Sequence, residues 1–189
     1  MESDPKYTSI YPLLGQAYEH QQDFDHAYRT YQAGIAQDET NTLLYRLAGL
    51  AADKQGDLAA AQSYYQKALA LDENDVMTII AYSELLLSQH LYEEDVQLIE
   101  KYIAEDVVDP QFYWDLARSY QALGQDDKAN KYWQQASPLY NDDVAFLHDL
   151  VDWYHEQGMR EQELVTMKQY LKIAPDDDDM QMRLESVEY

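Results

Sequence analysis

The sequence contains no cysteine and is poor in glycine, proline and positive charge. Without cysteine the chain has no disulfide, no thiolate zinc site and no thiol nucleophile. Six glycines and five prolines in 189 residues leave few turn positions, which favours long helices over many short strands. No apolar run approaches the roughly 20 residues of a membrane span, and the first residues lack a signal-peptide pattern. These absences predict a helical, cytoplasmic protein without a membrane segment.

The chain is strongly acidic, with 36 acidic and 13 basic side chains and a formal net charge of -23. Such a surplus repels phosphate groups, so we expect no nucleic acid and no anionic lipid as a direct partner. Hydrophobic residues make up 46% of the chain, too many for a disordered polyelectrolyte. The acids are therefore expected to keep a folded protein soluble, and they are compatible with a preference for basic partners.

The sequence repeats itself with a period of 34 residues. Sliding the chain along itself by one period places Gly15 on Gly49 and Tyr31 on Tyr65. Each unit holds two stretches with apolar residues at helical spacing, and a short break separates them. A glycine recurs in that break in three units, as Gly56, Gly124 and Gly158. One unit alone cannot cover its apolar face, so stacked neighbours must build the core.

Five units tile most of the chain without insertion or deletion. The predicted units are residues 8–41, 42–75, 76–109, 110–143 and 144–177. Residues 178–189 are predicted to form a capping helix, because Leu184 at the core position stands among polar residues. Residues 1–7 are interpreted as the tail of a preceding unit, since Pro5 lies a whole number of periods before Pro175. The chain is then the C-terminal part of a longer array; the alternative is a natural start with a short disordered lead.

Two units depart from the pattern. The unit at 76–109 is degenerate, with Ser83 and Asp95 in columns that hold small residues elsewhere, and Glu163 breaks the same column later. Bulk in these columns is expected to push helices apart and make the superhelical pitch irregular. Pro138 is predicted to end or kink its helix early.

These features resemble the tetratricopeptide repeat family. The period, the Leu14-Gly15 pair with Tyr18, the break from Gly56 to Ala61 and a proline at a unit's end all match. The resemblance implies an all-α fold, a right-handed solenoid of antiparallel helix pairs, and a binding module without catalysis or cofactor. The segment "DPQFYWDLARSYQALGQDDKANKYW" also looks like the C-terminal half of longer cytosolic tetratricopeptide proteins of Gram-positive bacteria.

The resemblance further implies that the first helices of the units line a concave groove. The residues that helical spacing assigns to it are Leu43, Arg46, Leu50, Met77, Ile80, Glu84, Leu87, Trp114, Arg118, His148 and Asp152. The centre of this set is apolar, and a contiguous exposed apolar patch usually marks a partner site. The alternative is that a tightly coiled superhelix buries the patch against itself. Arg46 and Arg118 either orient a partner's carboxylate or pair with Glu84 and Asp152.

The predicted function is a non-enzymatic scaffold that binds an extended or helical segment of a partner protein. Apolar anchors on that segment would supply affinity, and a basic flank would respond to the acidic field. The alternative is self-association into a homodimer, through the N-terminal end or by groove contacts. The Lys, Asn and Arg clamp of chaperone-binding tetratricopeptide proteins is absent, since residues such as Gln16 and Leu47 take its places.

Two clusters carry residue types that bind metals. "HDLVDWYH" places His148, Asp152 and His155 on one helix face, but no general-base glutamate lies between the histidines. The four aspartates of "PDDDDM" lack the alternating spacing of calcium loops. Acidic residues recur at this place in earlier units, where they are expected to cap helix starts. We therefore predict no metal, no cofactor and no catalytic residue.

Overall fold

The computed structural model describes residues 9–188, which form eleven α helices and no β strand. The predicted lead, residues 1–7, lies outside the described residues. In chain order the helices are α1 (Ile10–His20), α2 (Phe24–Gln37), α3 (Thr42–Lys54), α4 (Leu58–Leu71), α5 (Val76–Ser88), α6 (Tyr92–Ala104), α7 (Pro110–Ala122), α8 (Asp126–Ala136), α9 (Val144–Glu156), α10 (Arg160–Ile173) and α11 (Asp178–Glu188). The all-α prediction is confirmed. Within this range no helix combines the length and the hydropathy that crossing a membrane requires.

The chain divides into two compact modules, Met1–Asp109 and Pro110–Tyr189. The N-terminal module contains α1 to α6, and the C-terminal module contains α7 to α11. In both modules each odd-numbered helix up to α9 packs against the helix that follows it, and α11 packs against α10. The helix pair is therefore the building block that the repeat predicts.

Polar side chains fix where the helices begin. Asp57 accepts a hydrogen bond from the backbone amide of Ala60 at the start of α4, and Asn41 does the same for α3. Before α11, Asp177 accepts from the amide of Met180 at 2.9 Å and from the Tyr170 hydroxyl at 2.6 Å. The hydrogen bond from the Tyr170 hydroxyl holds the pKa of Asp177 below its usual value. The hydrogen bonds from the backbone amides of Met180 and Asp179 lower this pKa further. The aspartate run is thus a helix start, as predicted.

The breaks within the helix pairs share one backbone conformation. Gly56, Gly124 and Gly158 all have positive φ, at +81°, +64° and +65°. One period before and after Gly56, Gln22 and His90 adopt nearly the same left-handed conformation with φ of 60° and 59°. Glycine takes this conformation without steric cost, whereas Gln and His do not. The break geometry therefore persists in the two units that have lost the glycine.

The core of the N-terminal module depends on aromatic rings that lie directly against a facing helix. Tyr65 of α4 is fully buried, and a Cβ atom built on Gly49 of α3 would lie 2.6 Å from its ring. The same arrangement joins Tyr31 to Gly15, where the distance would be 2.1 Å. Only a residue without a side chain permits this approach, so glycine is required at both positions.

The carboxylates that replace small residues at these packing positions are buried, and each has a polar partner. Asp95 and Ser83 are fully buried between α5 and α6, and the Ser83 hydroxyl donates to Asp95 Oδ1 at 2.5 Å. In the C-terminal module the buried Glu163 contacts His155 and Arg183. Hydrogen bonding offsets the cost of burying a carboxylate. The irregular pitch expected from these residues stays a prediction.

In the C-terminal module, a proline ends helix α8, and the last helix covers the apolar surface of the two helices before it. Helix α8 ends at Ala136, two residues before Pro138, as predicted from the missing amide hydrogen and the ring of proline. At the other end, Met180 of α11 is buried against Leu147, Val151 and Met167. This helix covers apolar surface of α9 and α10 that would otherwise face water.

A tyrosine pair fills the space between α2 and α4. The hydroxyl oxygens of Tyr28 and Tyr64 are 3.3 Å apart, and the rings meet edge to face with centroids 5.9 Å apart. Gln32 Nε2 donates to the Tyr64 hydroxyl at 3.1 Å, and the Tyr45 ring lies 6.3 Å from that of Tyr64. Burial and the neighbouring Tyr64 hydroxyl raise the pKa of Tyr28 to about 12.

We expect this pair to make the N-terminal module sensitive to alkali. A Tyr28 pKa raised from 10.0 to about 12 on folding contributes stability below pH 10 that is lost as the pH rises towards 12. Tyr28→Phe should therefore flatten the fall of the urea midpoint, followed by circular dichroism, across that range. Tyr113→Phe, which removes a phenol from the other module, is the control. An equal fall in Tyr28→Phe and the unsubstituted chain would contradict the expectation.

Candidate partner-binding site

The predicted groove residues fall into both modules, and each set is described by itself. Seven lie on α3 and α5 of the N-terminal module: Leu43, Arg46, Leu50, Met77, Ile80, Glu84 and Leu87. Four lie on α7 and α9 of the C-terminal module: Trp114, Arg118, His148 and Asp152.

The apolar residues of the N-terminal set differ in exposure. Met77 is 55% exposed and Leu43 is 39% exposed, and they occupy equivalent positions of successive repeat units. Leu50 and Ile80 are half-buried, and Leu50 packs against both core clusters of this module. We name the surface formed by Leu43, Arg46, Leu50, Met77, Ile80 and Glu84 the α3–α5 face.

Leu87 does not belong to an exposed patch. It is only 7% exposed, so the prediction that it faces a partner is wrong. The reason lies in α5, whose sequence "VMTIIAYSELLLS" is apolar on almost every side and whose last turn buries Leu85, Leu86 and Leu87 together. A helix without a clear polar stripe gives helical spacing nothing by which to choose the exposed side.

Arg46 is paired within the N-terminal module. Its Nε lies 3.5 Å from Asp75 Oδ2, and both side chains are about one-fifth exposed. Asp75 precedes the first residue of α5 and also accepts from the Thr78 hydroxyl at 2.5 Å. Arg46 therefore pairs within the chain with Asp75 and not with the predicted Glu84, which is exposed. The alternative role, orienting a partner's carboxylate, stays a prediction.

Two carboxylates and one arginine act on the buried Tyr65 of α4. Tyr65 is fully buried, and burial raises the pKa of its hydroxyl. The carboxylates of Asp53 and Glu84 raise this pKa further, whereas Arg46 acts weakly against them. A face on which carboxylates outweigh the neighbouring arginine attracts cationic groups.

In the C-terminal module, Trp114 is part of an aromatic cluster. Its ring lies 5.4 Å from that of Phe146, edge to face, and 5.4 Å from that of Tyr140. Its Nε1 donates to Asp149 Oδ2 at 3.0 Å. The side chain is half-buried, so only part of the ring faces solvent.

Arg118 is tied to the same carboxylate. Its Nε lies 3.5 Å from Asp149 Oδ2, and its guanidinium lies 3.9 Å from the fully buried Asp115. Pairing within the chain is again observed, with Asp149 and Asp115 instead of Asp152. Asp115 is not among the partners predicted for Arg118, although a spacing of three residues on one helix is the usual signal for such a pair.

The histidines of "HDLVDWYH" point to different carboxylates. His148 Nδ1 lies 3.5 Å from Asp152, whereas His155 Nδ1 lies 2.9 Å from Glu163. Arg183 of α11 contacts both Asp152 and Glu163, so a guanidinium neutralises the acids of this cluster. In the part of the chain that the structure describes, no three His, Asp or Glu side chains are grouped to hold a metal ion.

Three family models match the chain. Two models of the tetratricopeptide repeat match residues 13–43 and 42–75, and a model of YpiA-like C-terminal tetratricopeptide repeats matches residues 110–177. The chain is a tetratricopeptide repeat protein. The resemblance drawn from the 34-residue period is thereby confirmed.

Among curated proteins, this tetratricopeptide repeat protein is similar to the TPR repeat-containing protein YpiA of Bacillus subtilis strain 168. The two are 28% identical over 172 residues, which cover 91% of this chain and 41% of YpiA. The chain therefore spans about two-fifths of the length of that relative.

Solved structures share the fold. The thermophilic tetratricopeptide protein TTC0263 of Thermus thermophilus matches with a TM-score of 0.74 at 17% identity, covering 95% of this chain and 98% of that one. YrrB, described as a TPR protein with an unusual peptide-binding site, matches with a TM-score of 0.66 at 18% identity, covering 83% and 81%. At these identities the likeness establishes the fold alone, and it confirms an α-solenoid of tetratricopeptide type.

We expect Asp149 to hold Trp114 and Arg118 in place. Asp149→Ala removes the indole hydrogen bond and one ion pair, and should lower the free energy of unfolding by about 1–2 kcal/mol. Indole fluorescence should shift to the red as the Trp114 ring becomes more hydrated. Asp142→Ala, an exposed acid seven residues earlier, is the control. A variant that matches this control in urea unfolding would contradict the assignment.

Proposed function

We propose that the chain is a non-enzymatic scaffold that binds a segment of a partner protein, and that the α3–α5 face supplies the main contacts. The observation that carries this proposal is the exposure of Met77 and Leu43 at equivalent positions of two successive repeat units. Soluble proteins place such apolar side chains together mainly where a partner covers them. The family is one of protein-interaction modules, and YrrB is a structural relative with a peptide-binding site.

The partner segment is proposed to carry apolar anchors with a basic flank. Leu43 and Met77 offer contact surface to the anchors, and the side chain of Met adapts to irregular shapes. The negative surroundings of Tyr65 and the net charge of -23 favour a cationic segment. Asp75 lies 3.5 Å from Arg46 Nε and competes with a partner's carboxylate for this guanidinium.

The C-terminal module offers a second set of contacts in this proposal. Arg118 and His148 expose 41% and 49% of their side chains, whereas Trp114 and Asp152 are partly occupied by internal partners. We therefore assign the first two as polar contacts and the latter two chiefly as supports. No catalytic role is proposed for any of these residues.

The test uses two exposed residues, so that loss of binding is separated from loss of folding. Leu43→Glu with Met77→Glu should abolish capture of the partner from lysate of the native cell, with unchanged helicity by circular dichroism. The matched control is Leu58→Glu with Leu71→Glu, which alters two exposed leucines of α4 in the same module. Capture by the unsubstituted chain should weaken as salt is raised.

The proposal is wrong if the Leu43 and Met77 double variant captures the same proteins as the unsubstituted chain. It is equally wrong if the control variant loses capture to the same extent, because the effect would then reflect added charge alone.

The second candidate function is homodimer formation through α1. Ile10, Leu13 and Leu14 are 56%, 68% and 44% exposed on this helix. One period later the equivalent Leu44, Leu47 and Ala48 of α3 are buried. Within residues 9–188, helix α1 therefore presents a repeat-packing surface that no neighbouring repeat covers. Only two of its eleven residues, Glu19 and His20, are ionisable apart from Tyr. Two acidic chains meet most readily through such a surface.

Light scattering across protein concentration tests this candidate. The unsubstituted chain should approach twice the monomer mass at high concentration, and Leu13→Glu should remain monomeric because it places charge in the contact. Leu71→Glu, also at an exposed leucine, is the control and should dimerise normally. A monomer at all concentrations, or a dimer that Leu13→Glu leaves intact, would exclude the α1 contact.

A further inference from the structure

We propose that a cleft between α9 and α10 is a second binding site, which takes an aromatic side chain from a partner segment that carries a positive charge beside the ring. The cleft lies entirely within the C-terminal module and has a volume of about 500 Å³. Its lining comes from α9, from α10 and from the segment that follows α8. It contains none of the groove residues predicted from the sequence.

The repeat shows what occupies the corresponding place elsewhere in the chain. Three periods before Thr166 of α10 stands Tyr64 of α4, and three periods before Asn130 of α8 stands Tyr28 of α2. Tyr64 and Tyr28 are the pair that fills the space between α2 and α4. Of the two equivalents, Thr166 lines the cleft, so the ring of Tyr64 is the one that takes up the corresponding volume in the N-terminal module.

The next equivalent place in the N-terminal module is also filled. Leu98, one period after Tyr64, packs against the core cluster that contains Tyr82. Gln62 and Gln66 donate hydrogen bonds of 3.0 and 3.1 Å to the hydroxyl of Tyr82. Tyr64 and Leu98 thus fill the equivalent space in two neighbouring repeats with different side chains.

Between α8 and α10 this ring is missing, because Thr166 stands in the place of Tyr64. Thr166 is buried, and its hydroxyl donates to the carbonyl of Gln162 in its own helix at 2.8 Å. Helix α8 has 11 residues where α2 and α4 have 14, because Pro138 ends it early. Short side chains and a shortened helix together leave the cleft open.

The cleft lining combines apolar and polar residues, which suits an aromatic ring that carries a polar group such as a phenol. Leu147 and Leu150 are buried apolar residues of the lining, and Val165 is an exposed one. Tyr154 also lines the cleft, and burial raises its pKa, which keeps its hydroxyl neutral. Gln162 and Gln169 also line the cleft, and the side-chain amide of Gln169 donates to the carbonyl of Asn141, another lining residue. Apolar walls with a few polar groups are typical of small-ligand and side-chain pockets.

The charge of the cleft lining determines which residue is favoured beside the bound aromatic side chain. Glu161 is the one charged residue of the described lining, and it is exposed. Among residues 9–188, no Lys or Arg lines the cleft to neutralise it. In a chain with a net charge of -23, this carboxylate favours a lysine or arginine next to the aromatic residue of the partner.

The experiment follows backbone amides of the ¹⁵N-labelled full chain by NMR during titration with the tripeptide N-acetyl-Lys-Tyr-Lys-amide. We expect saturable shifts that cluster on α9 and α10, with a dissociation constant of about 1 mM for a probe of this size. N-acetyl-Lys-Ala-Lys-amide, which keeps the charges and lacks the ring, should leave these amides unmoved.

Two variants test the site. Thr166→Tyr restores the residue found three periods earlier and should weaken binding at least tenfold by filling the cleft, whereas Thr166→Ser should bind normally. Glu161→Gln changes an exposed side chain, cannot disturb the core, and should weaken binding several-fold at low salt only. Thermal unfolding of each variant checks that it folds.

Several results would overturn the proposal. Shifts outside the cleft, or equal shifts with the alanine tripeptide, would mean that charge alone is recognised. A folded Thr166→Tyr chain with unchanged affinity would mean that the ring binds elsewhere. If free tyramine bound and the tyrosine tripeptide did not, the cleft would serve a small aromatic amine and not a partner segment. Because the cleft is separate from the α3–α5 face, Leu43→Glu with Met77→Glu should leave this titration unchanged.

Discussion

The close approach of a tyrosine ring to the backbone of the facing helix is the contact on which the N-terminal module depends. Tyr31 over Gly15 and Tyr65 over Gly49 are the same contact one period apart. Each ring is fully buried and leaves no room for a Cβ atom opposite. Burial of a large aromatic side chain contributes roughly 1.5–3 kcal/mol, and a well-packed core loses much of that when volume is added. This contact sets the spacing of each helix pair and thereby the surface that the first helices present.

Two repeat units that lack that contact carry a buried carboxylate in the adjacent small-residue column. The Ser83–Asp95 pair takes the place of glycine against alanine in the third repeat unit. The fifth unit places Glu163 in the same column and surrounds it with His155 and Arg183. Both solutions keep a carboxylate buried, and hydrogen-bonded carboxylates tie their helices in one register more strictly than apolar contacts do. The acidic character of the chain thus extends from its surface into its core.

The fold could be predicted from the sequence, but the side-chain partners and the exposure of several candidate site residues could not. The 34-residue period, the break glycines and Pro138 predicted the helices and the early end of α8, because these depend on backbone geometry that single residues impose. Leu87 was misplaced because α5 has no polar stripe. The partners of Arg46 and Arg118 were also misassigned. Asp75 is the last residue of the repeat unit that contains Arg46, whereas Asp149 lies in the unit after that of Arg118. The period gives the column of a residue but not the direction of a long side chain.

The solvent-facing side of α11 is polar. Asp178, Asp179, Gln181 and Glu185 are exposed there, with Met182 as the one large apolar side chain among them in the described residues. Helix α1, by contrast, exposes three large aliphatic residues. Helix α11 therefore separates the apolar core of the C-terminal module from water, because Met180 packs inward while the acidic and amide groups outside stay hydrated. The hydration of these outer groups disfavours further apolar packing on this helix.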